Sequence, residues 1–178
     1  MKLRALAFIA FLLVSVSLFS QEKETIKYSN ITECGFFATS PRSLGWEVTT
    51  VNGFSAHRQH CLGLGLGFGY ILGFADDYFL LHTPVFINYR LYFKPDNSFS
   101  PHLNIAMGGT MVTDGGGFYS SVTMGFKSKK FSFSSGLSFL AVEREVERGN
   151  YHWGYWRTEL VKEWIYPLGL TIKCGFTF

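Results

Sequence analysis

The sequence predicts an all-β protein: an antiparallel, up-and-down transmembrane β-barrel of about eight strands. Three observations predict this fold. Apolar residues alternate with polar or small ones through several segments of roughly ten residues, the length at which a tilted strand crosses a bilayer. Aromatic residues lie near the ends of the apolar faces, as in the interfacial girdles of membrane barrels. Charged residues make up only 16% of the chain and fall mostly in connecting segments.

Residues 1–20 are predicted to be a secretory signal peptide that is removed on export. Two basic residues precede a mostly apolar run from Ala5 to Phe19, and small residues gather before the expected cleavage after Ser20. The run is shorter than the about 20 apolar residues of a membrane-spanning helix. The mature chain would hold 178 − 20 = 158 residues, with 16 − 2 = 14 basic side chains against 13 acidic ones. This near balance gives no indication of a nucleic-acid partner.

The predicted barrel domain covers residues 30–178 and follows a short periplasmic N-terminal segment, residues 21–29. Its first two strands are predicted in NITECGFFATS (30–40) and GWEVTTVNGF (45–54), where the alternation is less regular than further along the chain.

The third predicted strand, CLGLGLGFGYILGF (61–74), has glycine at positions 63, 65, 67 and 69 and large apolar residues between them. This spacing does not match G-x-G-x-x-G, so a dinucleotide-binding loop is excluded. Glycine weakens a strand interior by roughly 0.5–1 kcal/mol relative to alanine, so alternate glycines need a structural reason. We expect the bare face to point into a narrow barrel and to leave room for large polar neighbours.

Four further strands with one apolar face each are predicted downstream. They are LLHTPVFINYRLYF (80–93), PHLNIAMGGTMV (101–112), FYSSVTMGFK (118–127) and FSFSSGLSFLA (131–141). Short connections are predicted as periplasmic turns and longer ones as outer loops. The longest outer loop, residues 142–163, leaves the count open to ten strands if it folds as a further hairpin.

The final segment, PLGLTIKCGFTF (167–178), alternates without error between an apolar face and a polar or glycine face. Periodicity alone does not say which face is outside. A soluble, lipocalin-like barrel of eight strands would place the apolar face around a ligand cavity. Aromatic residues at strand ends, charges in loops and turns, and an aromatic C-terminal residue favour the membrane barrel.

These segments resemble the small outer-membrane β-barrel domain proteins of Gram-negative bacteria, of the eight-stranded type. The chain ends on Phe176 and Phe178, which resembles the C-terminal signal read by the barrel-assembly machinery. The runs GWEVTTVNGFSAHRQHCLGLGLGFGY, TPVFINYRLYF and SPHLNIAMGG resemble the same family. The resemblance implies residence in the cell outer membrane, contact with its lipid and lipopolysaccharide, and assembly by that machinery. It does not imply one activity.

Charged and polar residues at inward positions form the first candidate site. The interior of a small barrel is just wide enough for side chains to fill, and buried charges must be paired. We therefore expect a polar plug in which Arg90 pairs with Glu47 or Glu33. A narrow, water-filled pore lined by the same residues is the alternative. The expected lumen network consists of Glu33, Glu47, Asn88, Arg90 and Lys173.

An aromatic cluster in the longest outer loop is the second candidate site, because loops carry binding functions more often than the scaffold does. The alternative is an upper aromatic girdle, or a hairpin lying on the lipopolysaccharide surface. The expected patch consists of Tyr151, His152, Trp153, Tyr155 and Trp156.

No catalytic residue, cofactor or metal site is expected. Barrel lipases and acyltransferases of the outer membrane use serine, histidine and an acidic or amide partner near the outer interface. Here His152 lies on the outer loop, while Ser120 and Ser135 face lipid without a G-x-S-x-G frame. The cysteines lack metal-ligand spacing and are expected to be packing residues, with any pairing among them left open: Cys34, Cys61 and Cys174.

The expected function is therefore a structural or surface-interaction role without enzymatic activity, with the barrel as the anchor of the outer loops. A narrow pore for ions or small solutes is the alternative. A lipid-modifying barrel enzyme is a third, less favoured interpretation.

Overall fold

A computed structural model describes most of the 178-residue chain. Among the described residues no helix is long and apolar enough to cross a membrane, a finding that says nothing of a β-barrel. Side chains are described except those of Ser40, Tyr78, residues 144–160 and Glu163. The described residues are 26–40, 43–73, 78–113, 115–152 and 155–178.

The described residues form nine β-strands that pair in antiparallel fashion. We call the end of the sheet that bears the first residue of β1 and the last residue of β9 the periplasmic end, after the orientation predicted from the sequence, and the opposite end the outer end. The strands are β1 (Lys27–Ser40), β2 (Ser43–Ala56), β3 (His60–Gly73), β4 (Tyr78–Tyr92), β5 (Phe99–Val112), β6 (Gly115–Ser128), β7 (Phe131–His152), β8 (Tyr155–Ile165) and β9 (Leu168–Thr177).

Each strand from β1 to β7 pairs with the next strand along the chain. The sheet closes into a barrel because β9 pairs with β7 on one side and with β1 on the other. β8 and β9 both pair with β7, one above the other, and are separated by Tyr166 and Pro167. They therefore occupy one position around the circumference. The barrel has eight strand positions, which confirms the predicted fold class.

The long outer connection is a paired hairpin rather than an open loop. β7 and β8 pair from Val142 with Ile165 up to His152 with Tyr155. This hairpin prolongs two strands that are already part of the barrel, so the ten-stranded alternative is wrong. At the other end of the chain, β1 begins at Lys27, inside the segment expected to precede the barrel.

The apolar face of the strands is outside, as a membrane barrel requires. In β9, Leu170 is 68% exposed, whereas its neighbours on the other face, Thr171 and Lys173, are 1% and 3% exposed. The same alternation holds around the barrel, and the apolar side chains on the outer face include Leu64 and Ile87. A lipocalin-like arrangement, with a polar exterior around an apolar cavity, is therefore excluded.

The glycine face of β3 lies inside the barrel because side chains from β4 occupy the space beside it. A Cβ atom added at Gly65 would overlap the ring of Phe86, and one added at Gly69 would lie 2.7 Å from His82 Nε2. β3 and β7 lie four strands apart in either direction around the barrel, hence opposite each other. The inward side chains of β7 are also small, and they include Ser134 and Ser138. Large side chains from the other strands therefore fill the space between two bare walls.

This packing predicts different effects for two glycine substitutions in strands. Gly65→Ala should lower the free energy of unfolding by about 1–3 kcal/mol, because the added methyl group displaces the buried Phe86 ring. Gly109→Ala is the matched control: a Cβ there has no neighbour nearer than the Gly117 carbonyl oxygen at 3.6 Å. It should change stability by less than about 0.5 kcal/mol. The measurement is urea unfolding of the refolded protein followed by heat-dependent gel mobility. Equal losses would contradict the interior packing described here.

Candidate functional site

Apolar side chains form a cluster in the outer third of the lumen, among a few buried polar ones. Phe37, Ile71 and Leu140 are 3%, 0% and 1% exposed and pack there with Leu80 and Val142. Because these residues come from strands on several sides of the barrel, they close its outer end with a hydrophobic core. Charged residues begin below this layer.

A buried ion pair links β4 to β1 in the periplasmic half of the lumen. Arg90 donates from Nη2 to Oε1 of Glu33 at 2.7 Å, and the two side chains are 0% and 4% exposed. Arg90 also donates from Nε to the side-chain oxygen of Asn104 at 3.4 Å. The same oxygen accepts a bond from Asn88 at 2.7 Å, and Asn104 donates to Thr123 at 3.4 Å. The network therefore connects four strands.

A second buried ion pair links β9 to β2. Lys173 Nζ lies 2.7 Å from Glu47 Oε1, and both side chains are almost fully buried. The Tyr119 hydroxyl of β6 joins this pair: it donates to Glu47 at 3.1 Å and accepts from Lys173 at 3.2 Å. The Tyr119 ring packs against Phe86, with ring centroids 5.3 Å apart.

These contacts place all five sequence-predicted lumen residues inside the barrel. Arg90 pairs with Glu33, one of the two partners expected from the sequence. Glu47, the other expected partner, forms an ion pair with Lys173 instead. Sequence reasoning missed Tyr119, which bridges the second pair. The alternation in FYSSVTMGFK was the signal that could have found it, since it places Tyr119 on the inward face.

The paired charges close the lumen. In an open pore the wall side chains would be in contact with water, but Arg90 and Tyr119 are both 0% exposed and Glu47 is 2% exposed. Neither end of the barrel gives solvent access to this layer, so the arrangement of these described residues matches a plug and not a pore.

A cavity of about 530 Å³ opens at the periplasmic mouth, below the plug. Its floor is formed by the inward residues Cys61, Tyr92 and Ser100, at the ends of β3, β4 and β5. Its rim is formed by the turns that follow β2, β4 and β6, and it carries several basic side chains.

At its outer rim, the lipid-facing surface carries an ion pair close to two outward-facing glycines. Glu143 of β7 lies 3.6 Å from Lys162 of β8, with side chains 29% and 59% exposed. On the adjoining β5 and β6, Gly109 and Gly116 face outward, and a Cβ at either position would meet no atom within about 3.4 Å, the limit of close contact. Bare backbone and an ion pair therefore lie near one another on the outer face at this rim.

The outer-loop patch is described only in its backbone. Tyr151 pairs with Trp156 and His152 with Tyr155 near the tip of the β7–β8 hairpin. Trp153 lies outside the described residues, and so do the side chains of the other four. Whether these aromatic groups form a binding surface stays a prediction.

The C-terminal residues lie at the periplasmic end of the seam between β9 and its neighbours. The rings of Phe176 and Phe178 lie 4.8 Å apart, and Phe178 is 71% exposed. Cys34 and Cys174 are free and face each other across the β1–β9 seam on the exposed face, whereas Cys61 is buried. Within the part of the chain that the structure describes, no three His, Cys, Asp or Glu side chains converge as a metal site.

Comparison with known proteins supports the fold. No protein-family model matches the chain, and no curated protein matches it. Among solved structures it resembles the crystal structure of the outer membrane enzyme PagL, with a TM-score of 0.53 and 12% sequence identity over 80% of this chain and 97% of that one. The chain has the fold of an outer-membrane β-barrel.

The expectation of a non-enzymatic structural or surface-interaction role is wrong in the light of this comparison. The structure that the chain resembles is that of an outer-membrane enzyme, so a small closed barrel of this kind is no argument against catalysis. At 12% identity the similarity extends to the fold alone.

Breaking the first ion pair predicts a large loss of stability. Arg90→Met leaves the Glu33 carboxylate buried and unpaired, and it should lower the free energy of unfolding by about 3–5 kcal/mol. Adding Glu33→Leu should restore most of that loss, because no buried charge of the pair then remains.

The matched control is Arg58→Met, which removes an exposed pair: Arg58 and Asp96 lie 2.8 Å apart with side chains 66% and 73% exposed. It should cost no more than about 1 kcal/mol. Urea titration of the refolded variants measures all three. A loss at Arg90 no larger than at Arg58 would show that the lumen pair is hydrated.

Proposed function

We propose that the protein is an outer-membrane enzyme that modifies a membrane lipid at the outer rim of its lipid-facing surface. The observation that carries the proposal is the Glu143–Lys162 ion pair on the lipid-facing surface at the outer rim. The closed lumen argues against transport, because Arg90 and Tyr119 are buried in paired contacts and no solute path runs through their layer. Substrates therefore reach the protein from the surrounding lipid or at either end. Residues 1–20 are proposed to direct export to the envelope.

The rim offers an apolar surface beside charged groups, the combination that an amphiphilic substrate requires. An acyl chain fits along bare backbone at Gly109 and Gly116, beside apolar side chains such as Met111 and Phe118. The Glu143–Lys162 pair stands where the lipid headgroup would lie, with a carboxylate for proton transfer and an ammonium group for anionic substituents. Phospholipid and lipopolysaccharide are the proposed substrate class.

The comparison supports the same proposal at the level of fold. A barrel of this size serves as an enzyme in the outer membrane protein PagL, which this chain resembles. Fold alone does not determine function, so the argument for a lipid substrate rests on the rim of this chain. Assembly through the strand ending in Phe176 and Phe178 by the barrel-assembly machinery is proposed as well.

The proposal predicts a chemical change in outer-membrane lipid. Folded protein in vesicles of phospholipid and lipopolysaccharide should release or transfer acyl chains, detected by mass spectrometry of the extracted lipid. Glu143→Gln should lower the rate at least tenfold, because the amide cannot accept a proton. Unaltered lipid after prolonged incubation with protein of confirmed folded mobility would contradict the proposal.

Two controls separate catalysis from damage to the barrel. Ser135→Ala removes a polar group from the same lipid-facing surface of β7, well below the rim, and should leave the rate unchanged. Lys162→Gln should weaken substrate binding more than turnover, because Lys162 is proposed to hold the headgroup. Equal losses in all three variants would point to a general effect on the membrane surface.

A further inference from the structure

The periplasmic mouth carries a concentration of positive charge that the proposed lipid chemistry does not use. Five charged residues line its cavity, four basic and one acidic, for a net charge of 4 − 1 = +3. They are Lys27, Arg58, Asp96, Lys127 and Lys129. The only carboxylate among these lining residues is held by Arg58 at 2.8 Å. The three lysines therefore face the cavity without an acidic partner among the residues that line it.

The cavity also has a buried polar floor. Ser100 is 3% exposed, and its hydroxyl has no hydrogen-bond partner. Lys127 is half-buried, and its ammonium group lies 5.2 Å from the centroid of the Tyr92 ring, which holds it over the floor by a cation–π contact. The Lys127 ammonium group is therefore placed to donate to an anion in the cavity.

The walls are held by tight turns, a main-chain hydrogen bond and an ion pair. Arg58 and Lys129 have positive φ angles of 58° and 54°, as in tight turns between strands. The amide of Tyr92 donates to the Gln59 carbonyl at 2.7 Å, and the Arg58–Asp96 pair joins the two turns across the opening. A ligand therefore meets a shaped site at small entropic cost.

We propose that this mouth binds a small, multiply charged anion that bears phosphate or carboxylate groups. The volume of about 530 Å³ falls within the range of roughly 300–1,000 Å³ for small-molecule pockets. The lysines converge on a concave opening at the end of the barrel, away from the lipid-facing band, which favours a soluble periplasmic anion. An anionic phospholipid headgroup has the same chemistry and is the alternative source.

Calorimetric titration of the folded mature chain in zwitterionic detergent tests the proposal, with inorganic pyrophosphate and citrate as probes. Saturable binding is expected. Lys127→Met should weaken it about tenfold or more, since charge-assisted bonds to an anion are lost.

Lys94→Met is the matched control, because Lys94 follows β4 at the same end of the barrel but does not line the cavity. It should change affinity less than twofold. Lys27→Met, at the exposed start of β1, serves in place of Lys127→Met if that variant does not fold.

The outcomes separate the two sources of the anion. Binding of pyrophosphate or citrate that depends on Lys127 supports a soluble ligand. Binding of short-chain phosphatidylglycerol alone, with the same dependence on Lys127, supports the site with a lipid headgroup as its ligand. No saturable binding of any probe, or equal losses in Lys94→Met and Lys127→Met, would overturn the proposal.

Discussion

The pairing of buried charges across the lumen is the constraint on which the rest of the interior depends. An eight-stranded barrel leaves an interior only as wide as its side chains, and an unpaired charge there is too costly to keep. Arg90 with Glu33 and Lys173 with Glu47 meet this constraint at 2.7 Å each. Long side chains can extend into the lumen only where other strands have small inward residues that leave space for them. The glycines of β3 and the small inward residues of β7 provide that space on opposite sides.

Because the interior is closed, the groups that a ligand can reach lie at the two ends of the barrel, and they differ in chemistry. The outer end is closed by apolar side chains and continues as the β7–β8 hairpin, so its accessible polar groups lie on the rim, as Glu143 and Lys162 do. The periplasmic end remains open as a basic cavity with a polar floor. A lipid substrate fits the first surface and a small anion the second. The two proposals stand on separate residues and fail independently.

The sequence predicted the faces of the strands better than the contacts between them. Strict alternation reports which side chains point inward, and so it found Arg90 and Lys173. It could not choose between Glu47 and Glu33, 57 residues away, as the partner of Arg90, because register across the barrel is a tertiary property. The hairpin was left as one possibility among several for another reason: a strand above the membrane has water on both faces, so its residues need not alternate between apolar and polar although pairing continues. The bare backbone at Gly109 and Gly116 on the outer face gives no periodic signal.

Single-channel recording of the folded mature protein in a planar bilayer tests the sealed lumen most directly. Only material whose gel mobility shifts on heating should be used, so that every trace comes from a closed barrel. No conductance above that of the bare bilayer is expected, because one layer of the lumen excludes water. That layer contains Arg90, Glu33, Lys173, Glu47 and Tyr119. Discrete, ion-dependent openings would contradict it. They would show that the ion pairs line a continuous path, and that the protein works through its lumen rather than at its surfaces.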